Sequence, residues 1–321
     1  MAEPLHGTPQ PPREPRRPLD PRDFPGCRAV HLPVEELDEY EGRIEYWEAR
    51  TGTAMILAEV TTYHEVPSAG VAGLVELISL ARGSKILALG SASLVQFGVE
   101  GQREVLMQPD AMFLLDRPWP QGRTIDIDAG PLPDVVLEVD HTTDVRRRKL
   151  QVYASWGLPE VWVEVPAPEW MAPRSSGRPG LTIYLLEGGG YVESAVSRAF
   201  RGWRAAEIHQ ALNEETKSEE TVAALRRVGR GLGRASGTSP DDDPFLGAER
   251  AESRSEMLRE NLRQTLAARN VLVTEAVEAW LSGVTSVERA AQFLEAAIDC
   301  RNAADFLRRV RPAGDAPPDD G

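Results

Sequence analysis

The sequence is poor in lysine, in cysteine and in long apolar runs. Of its 36 basic side chains only 3 are lysines, Lys85, Lys149 and Lys217. The skew towards arginine fits genomic base composition better than phosphate binding. The 2 cysteines, Cys27 and Cys300, stand far apart. They offer neither metal-ligand spacing nor a disulfide framework, which fits a reducing cytoplasm. No stretch approaches the roughly 18 apolar residues of a membrane span, so no membrane partner is expected. The first 30 residues hold prolines and arginines but no apolar segment, and do not read as a signal peptide. Net positive charge is lacking too. A formal charge of -14 argues against a general nucleic-acid coat protein, and leaves room for a local basic site.

What is present is material for a core. The chain has 321 residues, 41% of them hydrophobic, enough for one large domain or two modest ones. Its 25 prolines and 27 glycines imply substantial loops and tails. Residues 1–30 read as a disordered Pro/Arg-rich leader. Residues 31–212 read as one α/β domain. Strands are predicted at "AMILAEV", "KILAL", "EVLM", "AMFLL", "DVVLEV" and "EVWVEV", and a helix over 70–82 from the spacing of Val71, Leu74, Val75, Ile78 and Ala81. "LTIYLLEGGGYVESAV" reads as a hairpin turning at Gly188–Gly190, and "GWRAAEIHQAL" as a closing helix. Residues 213–248, with "GTSPDDDP", read as a linker region. Residues 249–310 are patterned as helices. Ser253 with Glu256 and Thr285 with Glu288 look like capping boxes. Apolar stripes run through Leu258, Leu262 and Leu266, through Val277, Trp280 and Leu281, and through Phe293, Leu294, Ala297 and Ile298. These stripes must cover one another or a second copy, so a homodimer through this helical C-terminal region is one expectation. Residues 311–321 form an acidic, disordered tail. No internal repeat is evident.

The chemistry-bearing stretch is "PDVVLEVDHTTDVRRRKL", Pro133 to Leu150. Alternation along the strand puts Val136, Glu138 and Asp140 on one face and Val135, Leu137 and Val139 on the other. An ionised carboxylate inside such a strand is costly unless it is paired or binds a metal. Thr143 or Asp144 can then cap a helix that Gly157 and Pro159 end. On that helix Val145, Lys149, Val152, Tyr153 and Trp156 share a stripe, so Lys149 is aimed at the sheet, while Arg147 and Arg148 point more to solvent. Asp110, in "QPDAMFLL", opens a strand of its own. Two carboxylates at neighbouring strand ends with one lysine suit phosphodiester hydrolysis. The acids hold a hard divalent cation through oxygen, the cation polarises the phosphoryl group, and the lysine stabilises the developing charge.

Each residue also has a plainer reading. Asp110 would belong to a Pro-Asp turn, Glu138 would be the buried partner of an arginine, and Lys149 would snorkel from the helix edge. His64 and His141 are candidate general bases, although a lone histidine is more often an ordinary side chain. Glu48, Glu59 and Glu76 are weaker candidates for a further acid. The Arg146–Arg148 run is either a solvated face or a clamp on DNA.

In combination, "MQPDAMFLL…LPDVVLEVDHTTDVRRRKLQVYASWGLPEVWVEV" resembles the Uma-two family of endonucleases, in the PD-(D/E)XK, restriction-endonuclease-like superfamily. Upstream, "RIEYWEARTGTAMI" is similar to that family's entry hairpin, and "YHEVPSAGVAGLVELI" to its first helix. The resemblance covers about residues 30–212. It implies a restriction endonuclease-like central mixed sheet flanked by helices, here with a small all-α C-terminal region. It further implies a Mg²⁺- or Mn²⁺-dependent nuclease acting on nucleic acid, DNA above all. Asp110 matches the first metal acid, Glu138 the acid of the (D/E)XK pattern with the Val139 carbonyl as a further metal ligand, and Lys149 the migrated lysine. Asp140 stands where the superfamily has its lysine, as a third ligand or the pair of an arginine. Where many members carry a Ser-Pro-Ser loop, this chain has the shorter "DHTTD". Two rival functions are a non-catalytic nucleic-acid or protein binding module that kept the fold, and an interaction protein in which the helical tail does the work.

Overall fold

The computed structural model describes residues 17–57, 62–140, 143–166 and 178–311. The chain divides into two compact units, residues 1–239 and 240–321.

The first unit contains two six-stranded sheets. One is ordered β1-β3-β2-β6-β5-β8 and is built from β1 (Cys27–His31), β2 (Ile44–Glu48), β3 (Thr53–Leu57), β5 (Leu94–Phe97), β6 (Arg103–Met107) and β8 (Ile125–Asp126). Its pairs are antiparallel except β5 with β8. The other is ordered β12-β11-β10-β9-β7-β4, from β4 (Leu87–Leu89), β7 (Ala111–Leu114), β9 (Val135–Val139), β10 (Glu160–Val165), β11 (Gly180–Glu187) and β12 (Gly190–Ser194). It is mixed, because β9 and β10 run parallel. Parallel neighbours need a crossover, and α2 (Lys149–Trp156) supplies it. The expected mixed sheet flanked by helices is therefore present. The companion sheet grows from the entry hairpin β2–β3, which β1 and β6 extend on either side.

The mixed sheet has two different faces. On one, Val135, Leu137 and Trp162 pack under α1 (Thr62–Arg82), α3 (Ala205–Asn213) and α4 (Glu219–Ser236). On the other, Val136, Val161 and Val163 meet Tyr46 and Met107 of the companion sheet together with Val152 and Trp156 of α2. All five residues of β9 are buried. That is why "DVVLEV" reads as a near-continuous apolar run and not as an alternation.

Three boundaries differ from the sequence reading. The leader does not extend to residue 30, since Cys27–His31 is an edge strand zipped to β3; its residues are half exposed and carry no periodic signal. Residues 213–248 are not a linker throughout. Ser218 caps α4, Gly237 ends it in a left-handed turn, and Leu225, Val228 and Leu232 are buried in the core over α1. Its "RRVGRGLGRAS" composition reads as loop, but the glycines serve close packing. A Cβ on Gly229 would lie 2.6 Å from the Ile78 carbonyl oxygen and 2.7 Å from the Ala81 Cβ. Finally, α1 begins at Thr62, before the apolar periodicity, with Pro67 inside it. The leader residues 1–16, Glu59, His141 and the tail beyond residue 311 lie outside the described residues, as does the side chain of His64.

The second unit is all helical: α5 (Pro244–Ala268), α6 (Glu275–Ser282), α7 (Val287–Asp299) and α8 (Ala303–Val310). Leu262, Leu266, Val277, Leu281, Phe293 and Phe306 form its core, so the stripes cover one another. Leu294 and Ile298 fall on the exposed side of α7. The predicted capping boxes give way to other caps. Ser253 lies mid-helix, because Asp243 followed by Pro244 starts α5 ten residues earlier, and Ser286 caps α7 in place of Thr285. Among the described residues no helix is long and apolar enough to cross a membrane.

Candidate active site

The site lies between the two sheets, on the face of β9 that carries Glu138. Asp110 sits where the chain enters β7. Its N–H donates to the Leu137 carbonyl (3.1 Å) and its Oδ2 accepts the N–H of Val139 (2.5 Å). Val139 thus presents its backbone to the same edge as Leu137, where Asp110 caps it. Glu138, 3% exposed, receives Lys149 Nζ on Oε2 at 2.6 Å and the Tyr153 hydroxyl on Oε1. Both donors come from α2, where Lys149, Val152, Tyr153 and Trp156 are buried as the stripe predicts, as is Val145 just before it. Gly157, at φ 77°, ends the helix.

Two residues complete the network that sequence reasoning missed. Glu45 Oε2 takes the other side of Lys149 Nζ at 2.8 Å, and its Oε1 accepts Arg43 Nε at 2.8 Å. Arg43 Nη2 in turn donates to Asp110 Oδ1. The result is one buried chain: Tyr153, Glu138, Lys149, Glu45, Arg43, Asp110 and the Val139 N–H. A bulge explains the omission. In the β2–β3 pairing Ile44 faces Ile56 and Tyr46 faces Met55, which leaves Glu45 as the extra residue. A bulge re-aims a side chain, often beside a functional site. Gln108 seats it, accepting the Ile44 N–H at 2.8 Å. The available signal was the Arg-Ile-Glu triplet in the segment already likened to an entry hairpin. Glu48, one of the acids considered instead, is tied to Tyr46, Arg50 and Thr51, and Glu76 lies on the exposed side of α1.

The arginine run divides three ways. Arg146 pairs with Asp140 and Asp144, each at 3.0 Å, and Arg147 pairs with Asp144 at 3.2 Å. Arg148 does not point to solvent. It is 3% exposed, donates to the Arg17 carbonyl at 2.8 Å and stacks on Tyr46. The reason is a break in the predicted helix: residues Val145–Arg147 form a 3-10 turn capped by Asp144, and Arg148 is non-helical before α2 begins. Asp140 is the arginine's pair and also accepts the Val145 N–H at 3.0 Å, holding the turn that leads to Lys149.

Burial governs the electrostatics. It pushes the Glu138 carboxyl above its ordinary range, with Glu45 adding to the effect and Lys149 and Tyr153 opposing it. At Lys149 burial favours the neutral amine, yet Glu138 and Glu45 together outweigh it and hold the ammonium above its usual value. Burial likewise lifts Asp140 to about 7. Cys27, beside the same charges, is raised to about 12 by burial and by Glu45, which makes it a poor nucleophile.

Among the described residues no group of three or more His, Cys, Asp or Glu side chains is disposed to hold a metal ion. The donor chemistry nonetheless suits a hard divalent cation, since Asp110, Glu138 and Glu45 are all carboxylates. In this arrangement Arg43 and Lys149 are paired with those carboxylates.

On the mixed sheet Glu138 of β9 thus meets Lys149 of the crossover helix, and Asp110 at the start of neighbouring β7 joins them through Arg43 and Glu45. The chain belongs to the Uma2 family, described as "putative restriction endonuclease", whose profile matches residues 34–213. Among solved structures, one described as a putative nuclease belonging to DUF820, from Anabaena variabilis ATCC 29413, is 10% identical over 56% of this chain and 99% of its own, with a TM-score of 0.37. No curated protein matches the chain.

Proposed function

We propose that the protein is a divalent-metal-dependent nuclease that hydrolyses phosphodiester bonds in DNA, with Asp110, Glu138 and Lys149 as its catalytic side chains. The observation that carries this reading is the Lys149 ammonium seated 2.6 Å from Glu138, in one buried network with Asp110, in a member of an endonuclease family. The groups that would hold Mg²⁺ or Mn²⁺ are Asp110, Glu138 and the Val139 carbonyl, and a bound cation there supplies polarisation of a phosphoryl oxygen and activation of water.

The chain's own residues do the rest. Tyr153 fixes the orientation of Glu138, and the Val139 N–H fixes that of Asp110. Lys149 is a compact point charge held beside Glu138, where it would stabilise negative charge developing on a phosphoryl group at the metal. Both cysteines are free, as a cytoplasmic setting would leave them. If two copies pair through the helical unit, Val287, Leu294 and Ile298 on α7 offer the exposed apolar face.

The test is a cleavage assay on mixed DNA and RNA, titrated with Mg²⁺ and Mn²⁺, beside Glu138→Gln. Metal-dependent cleavage of DNA that the variant loses supports the reading. A binding module that only kept the fold would bind nucleic acid and cut nothing.

A further inference from the structure

Arg43 stands apart from the other members of the network. Its side chain is 12% exposed, against 1% for Asp110, 2% for Glu45, 3% for Lys149 and 5% for Glu138. It is also forked between two acids, with Nη2 on Asp110 and Nε on Glu45. One arm can therefore let go while the other remains as a pivot. Lys149 lacks this freedom, being enclosed between Glu45 and Glu138.

We propose that Arg43 is an exchangeable cation: it neutralises Asp110 before metal binds, yields that carboxylate to an incoming divalent cation, and then offers its guanidinium to a phosphate of the substrate. This rests on the nuclease reading above. Among the described residues Arg43 and Lys149 are the cations that face these carboxylates, so a divalent cation can take the place of the Arg43 arm on Asp110 while Nε stays on Glu45. The freed guanidinium then matches the single charge of one phosphodiester, in the planar forked geometry that suits phosphate. Because Arg43 and the metal compete for Asp110, metal should bind weakly to the protein alone. It should bind more tightly when nucleic acid draws Arg43 away. The two ligands are thus positively coupled, and by linkage each strengthens the other.

The experiment is calorimetry of the full chain with Mn²⁺ and no nucleic acid, on the wild type, Arg43→Gln, Arg43→Lys and Asp110→Asn. Arg43→Gln should bind Mn²⁺ about 5- to 150-fold more tightly than the wild type, the usual span of coupling between two ligands. Asp110→Asn should lose Mn²⁺ binding. In a second measurement a short fluorescent DNA duplex is titrated with and without Ca²⁺ as the cation. The wild type should gain affinity with Ca²⁺, and Arg43→Gln should lose most of that gain. Arg43→Lys keeps the charge but cannot span both acids, and should fall between the two; it serves if the glutamine variant does not fold. If the Arg43 variants bind Mn²⁺ no better than the wild type while Asp110→Asn loses it, the exchange is wrong and the metal site stands. If Asp110→Asn binds Mn²⁺ like the wild type, or no variant binds it, the nuclease reading itself fails and the exchange falls with it.

Discussion

Two buried glutamates sit side by side on parallel strands and face opposite ways. Glu138 of β9 lies opposite Val163, and Glu164 of β10 opposite Val139. Burial raises both carboxyls. Both Glu138 oxygens receive donors, one from a lysine that a second acid shares. Glu164 meets His209 Nδ1 at 2.8 Å and Asn213 Nδ2 at 3.1 Å through Oε1, and among the described residues its Oε2 has no hydrogen-bond partner. Around Glu164 the face is a packed core of Trp162, Phe113, Phe200 and Trp203, closed by helices. A buried acid is thus not by itself a sign of chemistry. What sets Glu138 apart is membership in a connected set of acids and cations that reaches Asp110.

The comparison can be broken most severely on the apolar face. A chain ending after residue 212 loses α4 and with it the burial of Leu225, Val228 and Leu232, each worth roughly 1.5–3 kcal/mol. That is comparable to the whole stability of a domain, so this chain should be unfolded or aggregated, while one ending after Ser239 should melt cooperatively. Equal circular-dichroism melts for both would show that α4 is dispensable.

Next comes the paired exchange. Glu138→Gln should lower cleavage by about three orders of magnitude, near the upper end for losing one electrostatic contact in a reacting site. Glu164→Gln should cut at close to the wild-type rate. Equal losses would mean that both acids act through the fold alone.

Lys149→Met sharpens the electrostatic side. Cleavage should fall by about two orders of magnitude. Stability at neutral pH should fall by about 3–5 kcal/mol, because Glu138 and Glu45 lose the ammonium they share. Lys149→Arg should rescue poorly, since a planar fork does not replace a point charge. The control is Arg147→Met on the half-exposed Asp144 pair, which should cost less than about 1 kcal/mol in urea titrations and little activity. Indistinguishable cleavage by the two variants would leave Lys149 without a catalytic role.

The smallest effect tests Glu164. Its folded carboxyl is raised above 4.5. The folded chain therefore keeps a proton that the unfolded chain releases. The stability this gives is complete below about pH 4 and is lost as pH rises through the folded value. Glu164→Gln removes the dependence while leaving an acceptor for His209. Its melting temperature should match the wild type near pH 4 and exceed it at pH 8, by about 2–4 °C for each kcal/mol. A variant less stable at pH 8 would show that the His209 contact outweighs burial.

Much of the candidate site was legible because its signals are local. Asp110 and Glu138 interrupt apolar runs where a charge needs a reason, and Lys149 falls on an apolar helical stripe with Tyr153 one turn on. Glu45 was hidden because strict alternation cannot register an inserted residue, and Arg43 because its role depends on Glu45. Arg148 was misplaced because a 3-10 turn rotates it away from the helical wheel.

By itself the sequence determined which segments become strands and helices in the sheet core, and which acids and lysine the fold must bury. Periodicity and side-chain type act over a few residues, and neither depends on what lies across the sheet. Tertiary structure alone decided that β1 joins the companion sheet, that the glycine-rich α4 is a helix packed on α1, and that a bulge turns Glu45 towards Lys149. These choices are made by surfaces distant in the chain. An edge strand is defined by its neighbour, a glycine helix by the backbone that approaches it, and a bulge by the hydrogen bonds its partners leave to be met.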